Sequence, residues 1–226
     1  MEIRQLTTDY EKRVFAERAV YARATQGFGF KYKSAPQLSQ TLRLETVYGF
    51  FETANAQVDE MIAGFAMHDL ASAAQSFPKP DLSHLPPESV IEGGALWSLS
   101  RGAAGVARKI APVIIGMLQA KAVLLYPICK PIDLTAPHRE LGFIDACEPI
   151  LNRSAHTLEG GPIWMQPLIM EGEKLQAYVR WGFDSIFRND QGRQVFQVQM
   201  PSTRHLTRSQ THRTEFGTDR ISVTAV

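Results

Sequence analysis

The sequence has few cysteines and almost no net charge, and each scarcity excludes a class of protein. Only Cys129 and Cys147 are cysteines among 226 residues, so no disulfide framework and no cysteine-based metal site is expected. The formal net charge of +1 gives no strong overall field toward nucleic acid or an anionic membrane. Reduced thiols in an otherwise ordinary chain favour a cytoplasmic location.

Long hydrophobic runs and metal-ligand spacings are also missing. The most apolar helical run, 110–118, is interrupted by Pro112 and Gly116 and is far shorter than the roughly 20 residues that span a bilayer. The first residues, MEIRQLTTDYEKR, contain no apolar signal-peptide core. The six histidines show no paired spacing. We therefore expect no membrane span, no targeting segment and no metal site.

What the sequence does contain is the composition of a globular domain, with 44% hydrophobic and 21% charged residues. Its patterns predict the order strand, helix, helix, three strands, helix, strand, helix and two strands. The organising stretch is 89–142, in which an apolar strand at 90–99 enters a helix through a glycine-rich turn. A nearly all-apolar strand at 122–128 follows that helix, which predicts a right-handed parallel crossover.

The glycine-rich turn is the first motif that carries chemistry. The run Gly102-Ala-Ala-Gly105-Val-Ala107 places small residues at a helix start, where peptide N–H groups and the helix dipole favour phosphate. Arg101 and Arg108 add positive charge there. The alternative is a small-residue helix start that only packs tightly on a sheet, because glycine patterns of this kind are weakly specific.

A second motif, His138-Arg-Glu-Leu-Gly142-Phe143, lies on a short predicted helix. Together with the element order, the two motifs resemble the GNAT superfamily of acyl-CoA-dependent N-acyltransferases. The resemblance covers 1–170 and implies a mixed α/β (α+β) fold, with a mostly antiparallel sheet, a central parallel strand pair and helices on both faces. Residues 171–226 are then expected to form a partly helical C-terminal extension with a poorly ordered tail.

The resemblance implies a binding site for the acyl donor at the turn. The family pattern there is Arg or Gln, two residues, Gly, one residue, then Gly or Ala. Gly105 and Ala107 fit this pattern, whereas Gly102 replaces the usual Arg or Gln and Arg101 stands one residue early. The turn would hold the diphosphate, and the backbone of the preceding strand would hold the pantetheine arm. The residues implied in donor binding are Trp97, Ser98, Leu99, Arg101, Gly102, Ala103, Ala104, Gly105, Val106 and Ala107.

The resemblance also implies catalytic roles. His138 takes the place of a family tyrosine that protonates the leaving thiolate, and an ordinary histidine pKa of about 6.5 suits that role. Glu92 lies where family members sometimes carry a carboxylate base, which would act directly or through water. Tyr126, at the end of the second parallel strand, is an alternative acid. Each of these three residues also has a purely structural interpretation. His138 would be a solvated histidine, Glu92 a carboxylate bonded to a neighbouring amide, and Tyr126 a packed core residue.

The expected reaction is therefore N-acyl transfer to a primary amine on a small molecule or protein, by direct attack through a tetrahedral intermediate. The donor would be acetyl-CoA, a longer acyl-CoA or an acyl carrier protein, and the weakened diphosphate motif favours the carrier. Membership of the branch that contains N-acyl amino acid and acyl-homoserine-lactone synthases is also compatible with the sequence. A homodimer is compatible with it as well. The alternative is a non-catalytic acyl-CoA-binding or sensing module, favoured by Gly102 and His138.

Two further expectations can be checked in a structure. The arginines of 188–226 suggest nucleic-acid binding, but a solvated surface is the stronger reading of that mild positive charge. Acyl transfer requires that the strands at 90–99 and 122–128 diverge just beyond Trp97, so that unpaired peptide groups receive a thioester arm. Strands that stayed fully paired would leave that function without a physical basis.

Overall fold

The chain folds into two β-sheets, and helices cover the larger one. The computed structural model describes residues 1–25, 30–31, 34–70, 78–99, 101–185 and 197–198. The α-helices within these ranges are α1 (Asp9–Thr25), α2 (Ala35–Leu42), α3 (Arg101–Met117), α4 (Ala136–Arg139) and α5 (Gly172–Ser185). The strands are β1 (Glu2–Leu6), β2 (Phe30–Lys31), β3 (Thr46–Phe51), β4 (Ala63–Asp69), β5 (Val90–Ser98), β6 (Ala122–Leu125), β7 (Ile128–Lys130), β8 (Ile144–Asp145), β9 (Ile150–Thr157), β10 (Pro162–Met165), β11 (Leu168–Glu171) and β12 (Gln197–Val198).

The main sheet has eight strands in the order β12-β1-β3-β4-β5-β6-β11-β8. Its strand pairs are antiparallel except β1–β12 at one edge and β5–β6 in the middle. This confirms the predicted mostly antiparallel sheet with a central parallel pair. A second sheet, β2-β9-β10-β7, was not expected. The predicted strand at 122–128 in fact divides into β6 of the main sheet and β7 of the second.

The change of sheet occurs at two prolines. β6 pairs with β11 up to Leu125 and Leu168, and β7 pairs with β10 from Ile128 and Met165. Pro127 and Pro167 lie between these two sets of pairs. Proline has no N–H to donate, so a regular β-ladder cannot continue through these positions. β6 and β11 therefore leave the main sheet together and continue as β7 and β10.

Helices cover both faces of the main sheet. On one face α1 and α2 pack over Val47, Ala66 and Trp97, whereas on the other face α3 and α5 pack over Phe65 and Val123. The alternation of side chains along each strand sends neighbouring residues to these separate cores. The helices on both faces agree with the expected fold class.

A buried lysine connects α1 to the end of α2. Nζ of Lys12 donates to the carbonyl oxygens of Leu42, Arg43 and Glu45, at 2.9, 3.2 and 2.7 Å. A helix leaves its last carbonyl groups without partners in the helix, and a cation is favourable at that end. Lys12 therefore fixes the chain between α2 and β3, and with it the position of Glu45.

Helix α5 belongs to the core of this domain. Leu175 is fully buried, and its cluster contains Ile110 and Val113 of α3. The expected boundary at residue 170 therefore runs through a packed core, and it also cuts β11. The tail 201–226 and the arginines expected to bind nucleic acid lie outside the described residues.

No α-helix in the described ranges is both long and apolar enough to cross a bilayer. The same ranges contain no group of three or more His, Cys, Asp and Glu residues placed to hold a metal ion.

The contact between α3 and α5 yields a stability prediction. A Cβ atom on Gly182 would lie 2.3 Å from Cγ2 of Val113, whereas a Cβ on Gly105 would meet no atom within 4 Å. We predict that Gly182→Ala lowers the free energy of unfolding by about 1–3 kcal/mol, because the helices must separate. Gly105→Ala should raise it by up to about 1 kcal/mol through helix propensity. Denaturant unfolding of both variants measures this, and equal effects would contradict the packing.

Candidate functional site

The parallel strands β5 and β6 are paired over only four residues. The register runs from Val90 with Ala122 to Gly93 with Leu125. β5 continues to Ser98 with β4 as its partner, whereas β6 ends at Leu125. We call the opening between β5 from Gly94 onward and the departing β6 the gap. The expected divergence of these two strands is observed, but it begins at Gly94, three residues before Trp97.

The backbone of β5 is irregular at the gap. The register with β4 shifts between Gly64 and Ala66, so that one residue of β4 faces two of β5. Ala95 has φ of 48°, a left-handed conformation that costs a non-glycine residue on the order of 1–3 kcal/mol. A bulge of this kind redirects the peptide groups that follow it. Gly94 is exposed and has open space where a side chain would stand.

The three strand residues predicted to hold a pantetheine arm are not equivalent. The indole of Trp97 is buried against Phe15 with ring centroids 5.4 Å apart, so only its backbone can reach the gap. Ser98 is buried and pairs with Ala63 of β4. The peptide N–H of Leu99 donates to the carbonyl of Ile62, at 2.8 Å. That N–H is therefore already paired on the β4 side of the strand.

Helix α3 begins at Arg101, three residues after β5 ends. Three residues span at most about 11 Å, so the N–H groups at the helix start lie close to the end of the gap. The first turn of α3 contains no acidic side chain. An uncompensated helix start of this kind favours an anion.

The small residues of α3 divide by face. Ala103 and Ala107 are buried in the core, and Val106 packs partly against it. Gly102 is exposed and Gly105 is half-buried, and neither has an atom within 4 Å of an added Cβ. Ala104 is half-buried as well. Alanines on the inner side and open glycines on the outer side leave the helix start accessible to a ligand.

Glu92 lies in a row of charged side chains on the α1 face of the sheet. Its strand neighbour on β4 is His68, and Oε1 of Glu92 is 3.6 Å from Nε2 of His68. On the far side of the ring, Nδ1 of His68 is 3.7 Å from Oε1 of Glu45. The other oxygen of Glu92, Oε2, accepts a hydrogen bond from Nζ of Lys79. When His68 is protonated, the four groups alternate in charge, from Glu45 through His68 and Glu92 to Lys79.

The electrostatics of this row keep Glu92 ionised. Burial by itself would raise the pKa of Glu92, but contacts with His68 and Lys79 outweigh burial and hold that pKa below its ordinary value. Burial by itself would lower the pKa of His68, but Glu92 and Glu45 outweigh burial and the opposing charge of Lys79 and raise it. A carboxylate with a lowered pKa is available as a base across the neutral pH range, although a weak one.

Tyr126 belongs to the same face as Glu92. Its ring lies 5.6 Å from Nζ of Lys79, and its side chain is buried beside Leu124. Burial raises the pKa of Tyr126, and the negative charge of Glu92 raises it further. The phenol therefore keeps its proton at neutral pH and is a weaker acid than an exposed tyrosine. The structure thus brings Glu92 and Tyr126 together.

His138 lies on the opposite face of the sheet from Glu92. Its ring meets the buried ring of Phe143 edge-on, at 6.1 Å, within the α3 core. Burial lowers the pKa of His138 to about 4, and the charge of Arg108 contributes. The imidazole is therefore neutral at pH 7, which removes the premise of an ordinary pKa. Within the described part of the chain, neither Nδ1 of His138 nor Nε of Arg108 has a hydrogen-bond partner.

Sequence reasoning missed His68, Lys79 and Glu45. Lys79 lies in the proline-rich run PKPDLSHLPP, whose composition is typical of an irregular connection. A signal was nevertheless present, because His68 and Glu92 are polar residues inside otherwise apolar strands. Buried polar groups require partners, so two such residues on neighbouring strands are candidates for pairing. The register that pairs them was not available from the sequence.

Comparison with known proteins supports the fold. No protein-family model matches the sequence, and no curated protein matches it. Among solved structures, the chain is similar to FeeM, an N-acyl amino acid synthase from uncultured soil microbes, with a TM-score of 0.50 and 11% identity over 78% of this chain and 98% of FeeM. A proposed acetyltransferase from Acinetobacter baylyi ADP1 has a TM-score of 0.50 and 11% identity, over 76% of this chain and 92% of its own.

A third similar structure is a proposed phosphinothricin N-acetyltransferase, with a TM-score of 0.51 and 8% identity over 75% of this chain and 96% of its own. At sequence identities this low, the structural similarity shows a shared fold and nothing further. The mixed sheet with its diverging central pair, the helices on both faces and these likenesses agree with one another. The chain has the GNAT fold.

Proposed function

We propose that the protein is an N-acyltransferase, which moves an acyl group from an acyl thioester to a primary amine. The observation that carries this proposal is the gap between β5 and β6. β5 runs on past Gly93 with a bulged backbone and open space at Gly94, and the start of α3 follows directly. A thioester arm laid along β5 would meet peptide groups on one side and a phosphate-binding helix start at its end.

The reaction proposed for this geometry is direct attack. The nitrogen of a neutral amine attacks the thioester carbonyl carbon, and the electron pair of the C=O bond moves onto oxygen. Peptide N–H groups of β5 near Gly94 would stabilise that oxyanion. The intermediate then collapses, the carbon–sulfur bond breaks, and the thiolate leaves. The attacking nitrogen, which is positively charged in the intermediate, gives up one proton and the thiolate takes up one, so an amide and a thiol are the products.

Glu92 is the base in this proposal. An ammonium cannot attack, because its nitrogen has no free electron pair, so a proton must first be removed. Glu92 lies two residues before Gly94, on the α1 face, and its ionised form accepts that proton directly or through a water molecule. We place the amine acceptor on this face. The acceptor would be a small molecule or a protein, and FeeM, as an N-acyl amino acid synthase, makes amino acids a class to test.

We assign His138 to the opposite side of the gap as a hydrogen-bonding group for the thiol end of the donor. Its neutral imidazole at pH 7 suits binding better than proton donation. The partnerless Nδ1 supports a ligand contact there. The donors to test are acetyl-CoA, longer acyl-CoA and acyl carrier protein, because all three present the same pantetheine thioester.

The alternative function is binding or sensing of acyl-CoA without turnover. The low pKa of His138 and the glycine at position 102 favour it. Calorimetry and product detection separate the two functions. Saturable binding of acetyl-CoA without amide formation across a panel of amines would support the sensing module and contradict the enzyme.

Blocking the gap tests the proposed reaction. A Gly94→Leu side chain meets no protein atom near its Cβ, so the fold should persist, but the side chain would occupy the mouth of the gap. We expect kcat/KM to fall by about 100-fold or more, because misplacement of about 1 Å costs that much. Gly94→Ala is the small control and should retain most activity. Wild-type turnover in Gly94→Leu at an unchanged melting temperature would contradict the proposed gap.

A charge at the start of α3 tests donor binding. Gly105→Asp adds a carboxylate where the donor phosphate is proposed to bind, whereas Gly105→Asn adds a neutral side chain of the same shape. We expect the Kd for CoA to rise on the order of tenfold in Gly105→Asp relative to Gly105→Asn, because the added carboxylate repels the phosphate and like charges about 4 Å apart at a protein surface repel by roughly 1–4 kcal/mol. Calorimetry at low salt measures both, and equal affinities would place the phosphate elsewhere.

A further inference from the structure

The segment 78–89, which we call the strap, lies over the α1 face of β5 and β6. Leu82 and Leu85 pack against the cluster that contains Val90 and Tyr126. Nε2 of His84 is 3.0 Å from a carboxylate oxygen of Glu171 on β11. The strap is therefore attached to the sheet both by apolar packing and by a polar contact.

Lys79 is held in place by its neighbours in the strap. It stands between Pro78 and Pro80, and Pro80 is buried. Proline fixes its own φ, and the residue before a proline is restricted to extended conformations. The backbone of Lys79 therefore has little freedom to lose when its side chain is ordered. Its ammonium reaches Oε2 of Glu92 across the face of the Tyr126 ring.

Among the described residues, the charged or titratable groups that face Glu92 come from β4, the strap and β6. His68 approaches from β4, Lys79 from the strap and the Tyr126 phenol from β6. Glu45 approaches His68 from the start of β3, and its own carbonyl accepts a hydrogen bond from Lys12. Lys79 therefore contacts one carboxylate oxygen of Glu92, and His68, which is a cation when protonated, lies near the other.

We propose that Lys79 is a positioning residue, which acts through Glu92 and keeps that carboxylate ionised and directed toward His68 at the edge of the gap. The inference rests on the proposed acyl transfer, in which Glu92 is the base. With Lys79 present, Glu92 holds no proton and has a fixed orientation, so it accepts the proton of the acceptor across the neutral range. Without Lys79, the buried carboxylate loses its lysine partner and takes a proton more readily.

The first test reads the charge row by NMR, independently of turnover. The NMR signal of His68 is identified among those of the six histidines because it is missing from the spectrum of His68→Gln. The pKa of His68 is then measured in each variant. Lys79→Met removes a positive charge and should raise the pKa of His68. Glu92→Gln removes a negative charge and should lower it. Lys79→Arg restores the positive charge and should return the pKa of His68 toward its wild-type value. Lys121 is exposed and lies outside the row, so Lys121→Met should leave the pKa of His68 unchanged.

The second test is the pH profile of kcat/KM with an acyl-CoA donor. On the low-pH side of this profile, which we call the acid limb, kcat/KM falls as Glu92 takes up a proton. In Lys79→Met the acid limb should move to higher pH, and each pH unit of movement lowers kcat/KM at acidic pH by about tenfold. Lys79→Arg should restore the limb. A residue that only supported the fold would lower the melting temperature and the plateau without moving the limb, so melting curves accompany each profile.

The outcomes separate this inference from the function it rests on. Normal turnover with an unmoved His68 pKa or an unmoved acid limb in Lys79→Met would overturn the positioning role and leave the proposed reaction standing. A wild-type protein without turnover, combined with the expected shifts at His68, would overturn both the proposed reaction and the role of Lys79 in it. The charge row would then be only a structural feature.

Discussion

The departure of β6 from β5 is the constraint on which the rest of the site depends. Pro127 and Pro167 interrupt the paired strands β6 and β11 at the same level, so both leave the main sheet together. β5 does not follow them, because β4 continues to pair with it as far as Ser98. A gap must therefore open between β5 and β6. The bulge at Ala95 and the immediate start of α3 then place peptide groups at its side and at its end.

The two faces of the sheet carry different polar groups near the parallel pair and helix α3. On the α1 face, Glu92 belongs to an alternating row of charges that satisfies a buried carboxylate. On the α3 face, the neutral His138 lies near the positive charge of Arg108, and each has a buried nitrogen without a partner among the described residues. Burying an unpaired polar group is costly, so a ligand or water is expected on the α3 side. In the proposed reaction, the ion-paired Glu92 on the α1 face removes the proton, and His138 on the α3 face contacts the donor.

Much of the fold could be predicted because its patterns are local. The strand–helix–strand unit around α3 follows from apolar periodicity and from the glycine-rich turn, whereas the mostly antiparallel sheet was implied by the resemblance to the GNAT superfamily. The continuous apolar run at 122–128 concealed the change of sheet, since hydrophobicity does not report which strands pair. Pro127 inside that run was the available signal. The extension expected after residue 170 became part of the core, because the partner of α5 is a distant helix.

The site was predicted in part for the same reason. Glu92 and Tyr126 do lie together, since both are placed by the parallel pair. The partners of Glu92 come from β4 and from the strap, so they depend on long-range register that one sequence does not reveal. The expectation for His138 rested on an ordinary pKa, and burial with a nearby cation changes that pKa.

The most direct test is to map donor binding onto the backbone of β5. Amide NMR spectra would be recorded during titration with acetyl-CoA and, separately, with acetyl-pantetheine, which lacks the nucleotide. Acyl arm binding in the gap predicts saturable shifts at Gly94 and Leu96 with both ligands, and shifts at the start of α3 that need the phosphates of acetyl-CoA. Saturable binding that leaves Gly94 and Leu96 unperturbed, or no binding of either thioester, would contradict it.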